Sequence, residues 1–465
     1  MLRVFGHHVP LAGCIEFLAD LLLCIAAVLL ASVSLSGSAV AVHGPLTLAE
    51  ALGYAGGFAG IMSLMYAFVG LYRPIPVRLP VRWLRTAFAL ALGGYLTYMM
   101  LRLVADRTYL EQLVWASVVY VLVLVVPGRT AVRALTRAST LRRVLIVGAD
   151  AEALAVAADL HAAGRGKYHL VGLCATTDED ESRDAVAGAP VFVRGTSIEA
   201  LVAEHRVDEI VVAAREQRGG SVPMDELLAC RIRGLRVFDS AAYYERTRAE
   251  VPLESLKASF LIYGQGFVQG PARRAAKRAF DIVCSLLLLL VSAPVMAVTA
   301  LAIKLDSRGP VLYRQERAGL GGRPFVCLKF RSMKVDAEPD GVARWAVKDD
   351  PRATRVGSFI RKMRIDELPQ LFNVLLGEMS LVGPRPERPS FVADLQREIP
   401  FYALRHSVKP GVTGWAQVRY TYGASVEDAR KKHQLDLYYV KNNSLFLDVL
   451  VLIETVSVVL FREGQ

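Results

Sequence analysis

The chain has 465 residues, of which 53% are apolar, and it carries a formal net charge of +11. That length leaves room for two or three domains, and an apolar yet basic composition argues against an ordinary soluble protein. It favours a membrane protein whose basic part faces anionic headgroups and phosphates; with no helix-turn-helix, zinc-finger or RNA-stacking pattern, nucleic acid is set aside as a partner.

Apolar stretches run near residues 11–33, 51–71, 84–104 and 111–127. Crossing hydrocarbon takes about 20 residues, so the first three suffice and the fourth is marginal. The loop from Tyr72 to Arg85 carries Arg73, Arg78, Arg82 and Arg85 without an acid, and Arg129, Arg133, Arg137, Arg142 and Arg143 follow the fourth stretch. The loop from Ser34 to Glu50 has no Lys or Arg. The excess of positive charge on one side predicts a four-helix bundle over 1–130 with both ends in the cytoplasm. The first apolar stretch lacks a clear small-residue cleavage site and reads as a retained helix. The cysteines at 14, 24, 174, 230, 284 and 327 form no Cys-x-x-Cys pair and are expected to be reduced.

From Leu141 the pattern changes to strand–helix alternation. Val144–Gly148, His169–Cys174, Glu209–Ala213 and Leu235–Phe238 read as parallel strands of a Rossmann-like α/β domain over 141–250. A dinucleotide site wants Gly-x-Gly-x-x-Gly after the first strand. Here the turn is Gly148-Ala-Asp-Ala-Glu-Ala153, where Asp150 and Glu152 would repel a pyrophosphate. The domain is therefore expected to be structural or regulatory.

Residues 280–303 are again apolar and long enough to span, but Arg273, Arg274, Lys277 and Arg278 precede them and Lys304 and Arg308 follow. Both flanks prefer the cytoplasmic face. Pro294, in mid-run, removes a helix hydrogen bond, and Ser292 is placed to supply another. The expectation is a re-entrant hairpin over 280–304, entering and leaving on one side, with its break at Ser292 and Pro294.

The most telling stretch is Arg361-Lys-Met-Arg-Ile-Asp366-Glu367-Leu-Pro-Gln-Leu-Phe-Asn373. Leu368, Leu371, Phe372 and Leu375 have the spacing of one helix face, with Pro369 in the first turn. Asp366 then sits at the positive end of a helix, where an ionised carboxylate or a phosphate is favoured. Around it lie Lys329-Phe-Arg331, the turn Val382-Gly-Pro-Arg385-Pro-Glu-Arg388-Pro389, Lys409-Pro-Gly-Val-Thr-Gly-Trp-Ala-Gln-Val-Arg419 and Leu435-Asp436. Adjacent carboxylates among so many cations suggest phosphoryl chemistry. Trp415 reads as core, and His406 and His433 as surface residues. Residues 445–461 read as a helix lying on the domain or interface rather than a span.

These ordered motifs, over about 272–465, resemble the bacterial sugar transferases, the monotopic polyprenol-phosphate hexose-1-phosphate transferases that begin exopolysaccharide and capsule synthesis. The preceding bundle and α/β domain resemble the long-form members. The resemblance implies a mainly helical α+β catalytic domain anchored by the re-entrant hairpin, on the cytoplasmic face of a bacterial inner membrane. It implies Asp366 as nucleophile, paired with Glu367. It implies Lys329, Arg361, Arg385 and Arg419 around the phosphates, and Asp436 near metal and substrate; Arg331 and Arg364 are counted with the phosphate-binding cations from their positions beside Lys329 and Asp366. Mg²⁺ is the implied cofactor, with Asp366, Glu367 and Asp436 as its ligands. The implied partners are a UDP-sugar (glucose or galactose), undecaprenyl phosphate and membrane lipid, with surfaces available for a homodimer. Arg364 departs from the family's commonly small polar residue, and Ala293-Pro294 from its frequent Ser-Pro. Two other readings compete with this one. A membrane-bound nucleotide-sugar dehydratase needs a full glycine fingerprint and a Tyr-x-x-x-Lys pair in 141–260, which are absent; a non-catalytic assembly scaffold would tolerate loss of the Asp366 carboxylate.

Overall fold

A computed structural model describes residues 2–4, 7–9, 11–36, 47–72, 79–104, 109–138, 141–162, 168–177, 185–186, 188–214, 222–253, 256, 266–267, 269–335, 350–420, 423 and 425–461. The chain forms two compact units, one ending at Arg248 and the other beginning, in its main part, at Ala249.

The first unit opens with four long helices, α1 (Leu11–Ser36), α2 (Leu48–Phe68), α3 (Leu79–Val104) and α4 (Tyr109–Ala138). Each contains a stretch long and apolar enough to cross a membrane, including the fourth, whose apolar part runs Glu111–Val132. Thr47 starts α2 with a capping box, its hydroxyl accepting from Glu50 N while the Glu50 carboxylate accepts from Thr47 N. Inside the bundle Asp20 is fully buried and paired with Arg129 at 2.6 Å, and Tyr72 donates to the same carboxylate at 2.9 Å. The Arg129 guanidinium also lies over the Tyr66 ring at 4.4 Å. A charge in an apolar bundle is tolerated only with such partners. Arg85 is likewise buried and donates to the Val69 carbonyl at 3.2 Å. Two arginines expected as free cytoplasmic flanks are thus spent inside the bundle, while Arg73 and Arg78 lie outside the described residues.

An α/β sheet follows, built from β1 (Arg142–Val147), β2 (Tyr168–Cys174), β3 (Ala185–Val186), β4 (Ala189–Phe192), β5 (Glu209–Val212) and β6 (Arg236–Asp239). The order is β3-β4-β2-β1-β5-β6, parallel except for the short β3 edge. Helices α5 (Ala151–Ala162), α6 (Ile198–His205), α7 (Met224–Ile232) and α8 (Ser240–Thr247) complete it. Leu145, Ile146 and Ile210 are fully buried, as expected for strands covered on both faces. At the crevice where such folds bind nucleotides, Gly148 has φ +118° and packs on the Ala213 carbonyl, so any Cβ would collide there. The Asp150 carboxylate accepts from Glu152 N and Ala153 N at 3.0 and 3.1 Å, so the mouth of α5 is filled by the chain's own anion.

The second unit starts with α9 (Pro271–Asp306), 36 residues in one helical run with Pro294 inside. Pro294 leaves the Leu290 carbonyl without its helical donor. The Ser292 hydroxyl does not reach it and donates instead to Leu288 O at 2.6 Å. Only 11% of the helix is buried, and Leu290, Val291, Val298 and Leu305 are more than two-thirds exposed or nearly so. Both flanks are nevertheless tied to the same unit. Arg278 donates to Val374 O and Leu375 O, and Asp281 accepts from Ser380 Oγ and Leu381 N. At the far end Asp306 accepts from Val356 N, and Ile303 packs with Phe330 and Ile360.

The remaining elements are the hairpin β7 (Leu312–Ala318) and β8 (Pro324–Phe330), helix α10 (Arg355–Lys362), a 3₁₀ turn Ile365–Glu367 and α11 (Gln370–Leu376). Then come β9 (Ser380–Val382), α12 (Pro389–Glu398), a 3₁₀ segment Tyr402–Ser407, β10 (Gly411–Thr413), α13 (Trp415–Arg419), α14 (Val426–Asn442) and α15 (Leu445–Phe461). Trp415, Tyr438, Leu447 and Val451 lie in the core, with the indole donating to Ala249 O at 2.9 Å. Both acids of α15 are buried and neutralised, Asp448 by Lys277 at 3.0 Å and Glu454 by Arg419 at 2.7 Å. All six cysteines are free thiols.

Candidate active site

The dyad stands on a short bend rather than at a helix mouth. Helix α10 begins with Thr354, whose hydroxyl accepts from Gly357 N, and stops at Met363. Arg364 then takes the left-handed region at φ 57°, which reverses the chain into the 3₁₀ turn carrying Asp366 and Glu367. A non-glycine residue there stores strain of the kind that collects at functional sites. Helix α11 starts only at Gln370; Leu371 and Val374 face the core, while Phe372 is 44% exposed. The expected apolar face therefore includes 371 but not 372.

Asn373 sets the height of the dyad against the hairpin. Its side-chain oxygen accepts from Leu328 N at 3.0 Å and its amide donates to Val326 O at 2.8 Å, as a neighbouring strand would. The residue is 1% exposed, so this bond pair is shielded from water. The strand thereby presents Lys329 to Glu367, Nζ to Oε1 at 3.3 Å. The same oxygen takes Arg385 Nη2 at 2.7 Å, and Arg364 Nη1 stands at 3.7 Å. Sequence positions 329, 364 and 385 thus meet at one carboxylate oxygen.

The two acids differ sharply. Burial opposes ionisation of Glu367, but Arg385, Lys329 and Arg364 overcome it and hold this carboxyl well below the usual range. Burial and the neighbouring Glu367 charge push Asp366 up to about 6, with the same cations only partly offsetting them. The expected helix end at Asp366 is corrected here: helix α11 begins four residues later, at Gln370, and burial rather than a helix dipole sets this carboxyl. Asp366 is a weakly acidic carboxyl, 8% exposed, beside a firmly anionic Glu367.

Arg385 belongs to a turn with almost no internal donors, because Pro384 and Pro386 lack N–H groups. Four successive carbonyls are each met from outside. Pro384 O accepts from Gly411 N at 2.9 Å, Arg385 O from Arg405 Nη2 at 3.0 Å, Pro386 O from Arg317 Nη1 at 3.0 Å and Glu387 O from Ala318 N at 2.9 Å.

Other expected site residues lie elsewhere. Arg331 donates to Ser307 O, Ser307 Oγ and Arg308 O at 2.8, 2.9 and 2.8 Å, which closes the end of α9 rather than facing the dyad. Arg361, in the last turn of α10, is half-exposed and outside the set of cations on Glu367. Arg419 is paired with Glu454 and lies over Trp415 at 4.3 Å. Asp436, 2% exposed, is given to Arg405 at 2.7 Å rather than to the dyad; burial raises its pKa against the pull of that guanidinium. His406 and His433 are buried, not at the surface, and burial first, with Arg405 second, lowers them to about 4 and about 3. Asn373, Arg317 and Arg405 are contributors that the sequence does not mark, since their partners are backbone atoms or distant in the chain.

No three His, Cys, Asp or Glu side chains converge among the described residues. Adjacent Asp366 and Glu367 offer two carboxylates, a donor set that suits Mg²⁺ when phosphate oxygens and water complete its shell. Asp436, spent on Arg405, does not extend that set.

Residues 272–462 match the family model described as bacterial sugar transferase. The chain is 42% identical over 259 residues to the UDP-N-acetylgalactosamine-undecaprenyl-phosphate N-acetylgalactosaminephosphotransferase of Aeromonas hydrophila, covering 56% of this chain and 60% of that protein. It is 38% identical over 333 residues to the undecaprenyl-phosphate glucose phosphotransferase of Komagataeibacter xylinus, covering 70% and 60%. The chain thus spans about three-fifths of the length of these two relatives. It is 45% identical over 201 residues to the UDP-glucose:undecaprenyl-phosphate glucose-1-phosphate transferase of Caulobacter vibrioides, covering 42% of this chain and 75% of that protein. With three-quarters of that protein matched at 45% identity and the family model matched over 272–462, the chain belongs to the bacterial sugar transferase family.

Proposed function

We propose that the protein transfers a hexose-1-phosphate from a UDP-sugar to undecaprenyl phosphate, releasing UMP and starting exopolysaccharide synthesis. The observation that carries this reading is the division of labour in the dyad. Glu367 gathers Lys329, Arg364 and Arg385 on one oxygen, while Asp366 beside it stays only weakly acidic, at about 6. The cations suit a diphosphate, with Arg385 able to grip two oxygens and Lys329 acting as a point charge. A carboxylate with a raised pKa is the more basic, more nucleophilic one of the pair. In the proposed reaction an Asp366 oxygen attacks the phosphorus bonded to the sugar, and the bridging P–O bond breaks so that UMP departs with the electron pair. An oxygen of undecaprenyl phosphate then attacks the aspartyl-bound phosphorus, which frees the carboxylate and leaves a sugar diphospholipid. Asp366 and Glu367 would hold Mg²⁺, whose chemistry there is neutralisation of diphosphate charge.

The acceptor's phosphate is anchored in a bilayer, so the site must sit at its surface. The proposed re-entrant arrangement of α9 is supported by the bonds that tie both its flanks to one unit: a straight crossing would separate residues 281 and 306 by roughly the 30 Å thickness of the hydrocarbon. We read the catalytic unit as lying on the cytoplasmic face of the inner membrane, in keeping with the basic flanks of α9, and the α/β unit, its crevice closed by Gly148 and Asp150, as structural or regulatory.

The test incubates the full chain with undecaprenyl phosphate, Mg²⁺ and radiolabelled UDP-glucose, UDP-galactose or UDP-N-acetylgalactosamine in separate reactions. UMP as the released nucleotide, with no turnover by Asp366→Asn, supports the reading. UDP as product, or full turnover by Asp366→Asn, overturns it.

A further inference from the structure

Arg405 and Asp436 are one buried device, and the proposed chemistry above uses neither of them. Arg405 is 5% exposed and Asp436 2%. The Arg405 guanidinium makes three contacts of different purpose. Nη2 donates to Asp436 Oδ2 at 2.7 Å and to the Arg385 carbonyl at 3.0 Å, and Nη1 donates to Tyr402 Oη at 2.6 Å. The Tyr402 ring lies under the guanidinium at 5.0 Å, and the neutral His433 ring packs against Tyr402 at 5.0 Å from one turn before Asp436 on α14.

A buried ion pair is costly to desolvate and is weak evidence for stability alone. This one is aimed at the backbone of the one residue in the Pro384–Pro386 turn whose side chain reaches Glu367. The neighbouring carbonyls are met by backbone or by Arg317, so Arg405 is the contact that holds Arg385 itself. A shift of that carbonyl would carry the Arg385 guanidinium away from its 2.7 Å contact.

We propose that Arg405, oriented by Asp436 and Tyr402, is a positioning residue that sets Arg385 for the donor diphosphate. The inference rests on the reading of Arg385 as a phosphate-binding group. It assigns Asp436 a place behind the site, acting through Arg405, in place of a metal ligand.

The test is a double-mutant cycle on the full chain in lipid nanodiscs, with steady-state kinetics against UDP-sugar and against undecaprenyl phosphate. Lysine keeps a charge for Asp436 but lacks the planar fork that meets three partners at once. Arg405→Lys should lower kcat/KM for the UDP-sugar by about tenfold or more, mainly through KM, with KM for undecaprenyl phosphate unchanged. In an Arg385→Lys background the same change should cost less than about twofold, because the group that it positions is already lost. Asp436→Asn should follow the same pattern. If Arg405→Lys folds poorly, Tyr402→Phe carries the cycle with a smaller loss, about threefold, that also vanishes in the Arg385→Lys background. Equal losses in both backgrounds, or none in the native background, overturn the positioning role while leaving the reading of Arg385 intact. An Arg385→Lys enzyme with native kinetics overturns that reading, and the positioning role with it.

Discussion

Glu367→Gln separates the two carboxyls of the dyad in one step. In the native protein the Glu367 charge is the second cause, after burial, of the rise of Asp366 from 3.8 to about 6. The substitution removes that repulsion and leaves Lys329, Arg385 and Arg364 facing Asp366. An adjacent arginine lowers a carboxyl pKa by about 1–3 units, so the Asp366 pKa should fall by at least about one unit. The readout is the pH dependence of the UMP burst in a single turnover. If ionised Asp366 is the nucleophile, the native rate rises tenfold per pH unit below about 6 and levels off above it. In Glu367→Gln the rising limb moves to lower pH, while the plateau drops because the gathered cations lose their anchor. An unmoved limb, or one displaced upward, would refute the electrostatic account of the dyad.

Other outcomes follow from the same geometry. Asp366→Asn should abolish turnover and stabilise the fold at pH 8 but not at pH 4. Because the folded protein binds this proton more tightly than the unfolded chain, the ionised carboxyl removes up to about 3 kcal/mol as pH rises between 3.8 and about 6; a thermal melt that shifts equally at both pH values would contradict this. Arg385→Ala, which removes one charge-assisted contact of about 1.5–3 kcal/mol, should lower kcat/KM for the UDP-sugar roughly 10- to 100-fold. Arg331→Ala should leave KM for the UDP-sugar unchanged and lower the melting temperature, since three acceptors at the end of α9 lose their donor at a cost of roughly 2–3 kcal/mol; a raised KM with native stability would return Arg331 to the phosphate site. In a cysteine-depleted chain, Lys304→Cys should react with an impermeant thiol reagent only from the cytoplasmic side, and labelling only from outside would rule out the re-entrant reading of α9.

Much of this was legible because it is local. The apolar runs, the strand–helix alternation after Leu141 and the missing glycines after Gly148 all follow from short-range pattern. The meeting of Lys329, Arg364 and Arg385 at Glu367 was legible only as a resemblance, because nothing in the spacing of these residues brings them to one oxygen. What the sequence left dark depends on partners far apart in the chain. Arg129 reads as a flank charge until Asp20, more than a hundred residues earlier, is found against it. Arg331 reads as a phosphate ligand from the Lys-Phe-Arg motif that it shares with Lys329; the backbone of Ser307 and Arg308 claims it instead. The burial of His406 and His433 has no local signature, and the state of Asp366 turns on desolvation, which no window of sequence reports.

Lys329 and Arg331 sit two residues apart along one strand direction, one touching the dyad and the other gripping the end of α9. Two residues of extended chain span about 6–7 Å. The end of α9 and the dyad are therefore joined through one short extended segment, like the two jaws of a gauge. In the proposed re-entrant arrangement, bilayers of different thickness can tilt or dimple around α9 while this short link keeps the height of the dyad above its end.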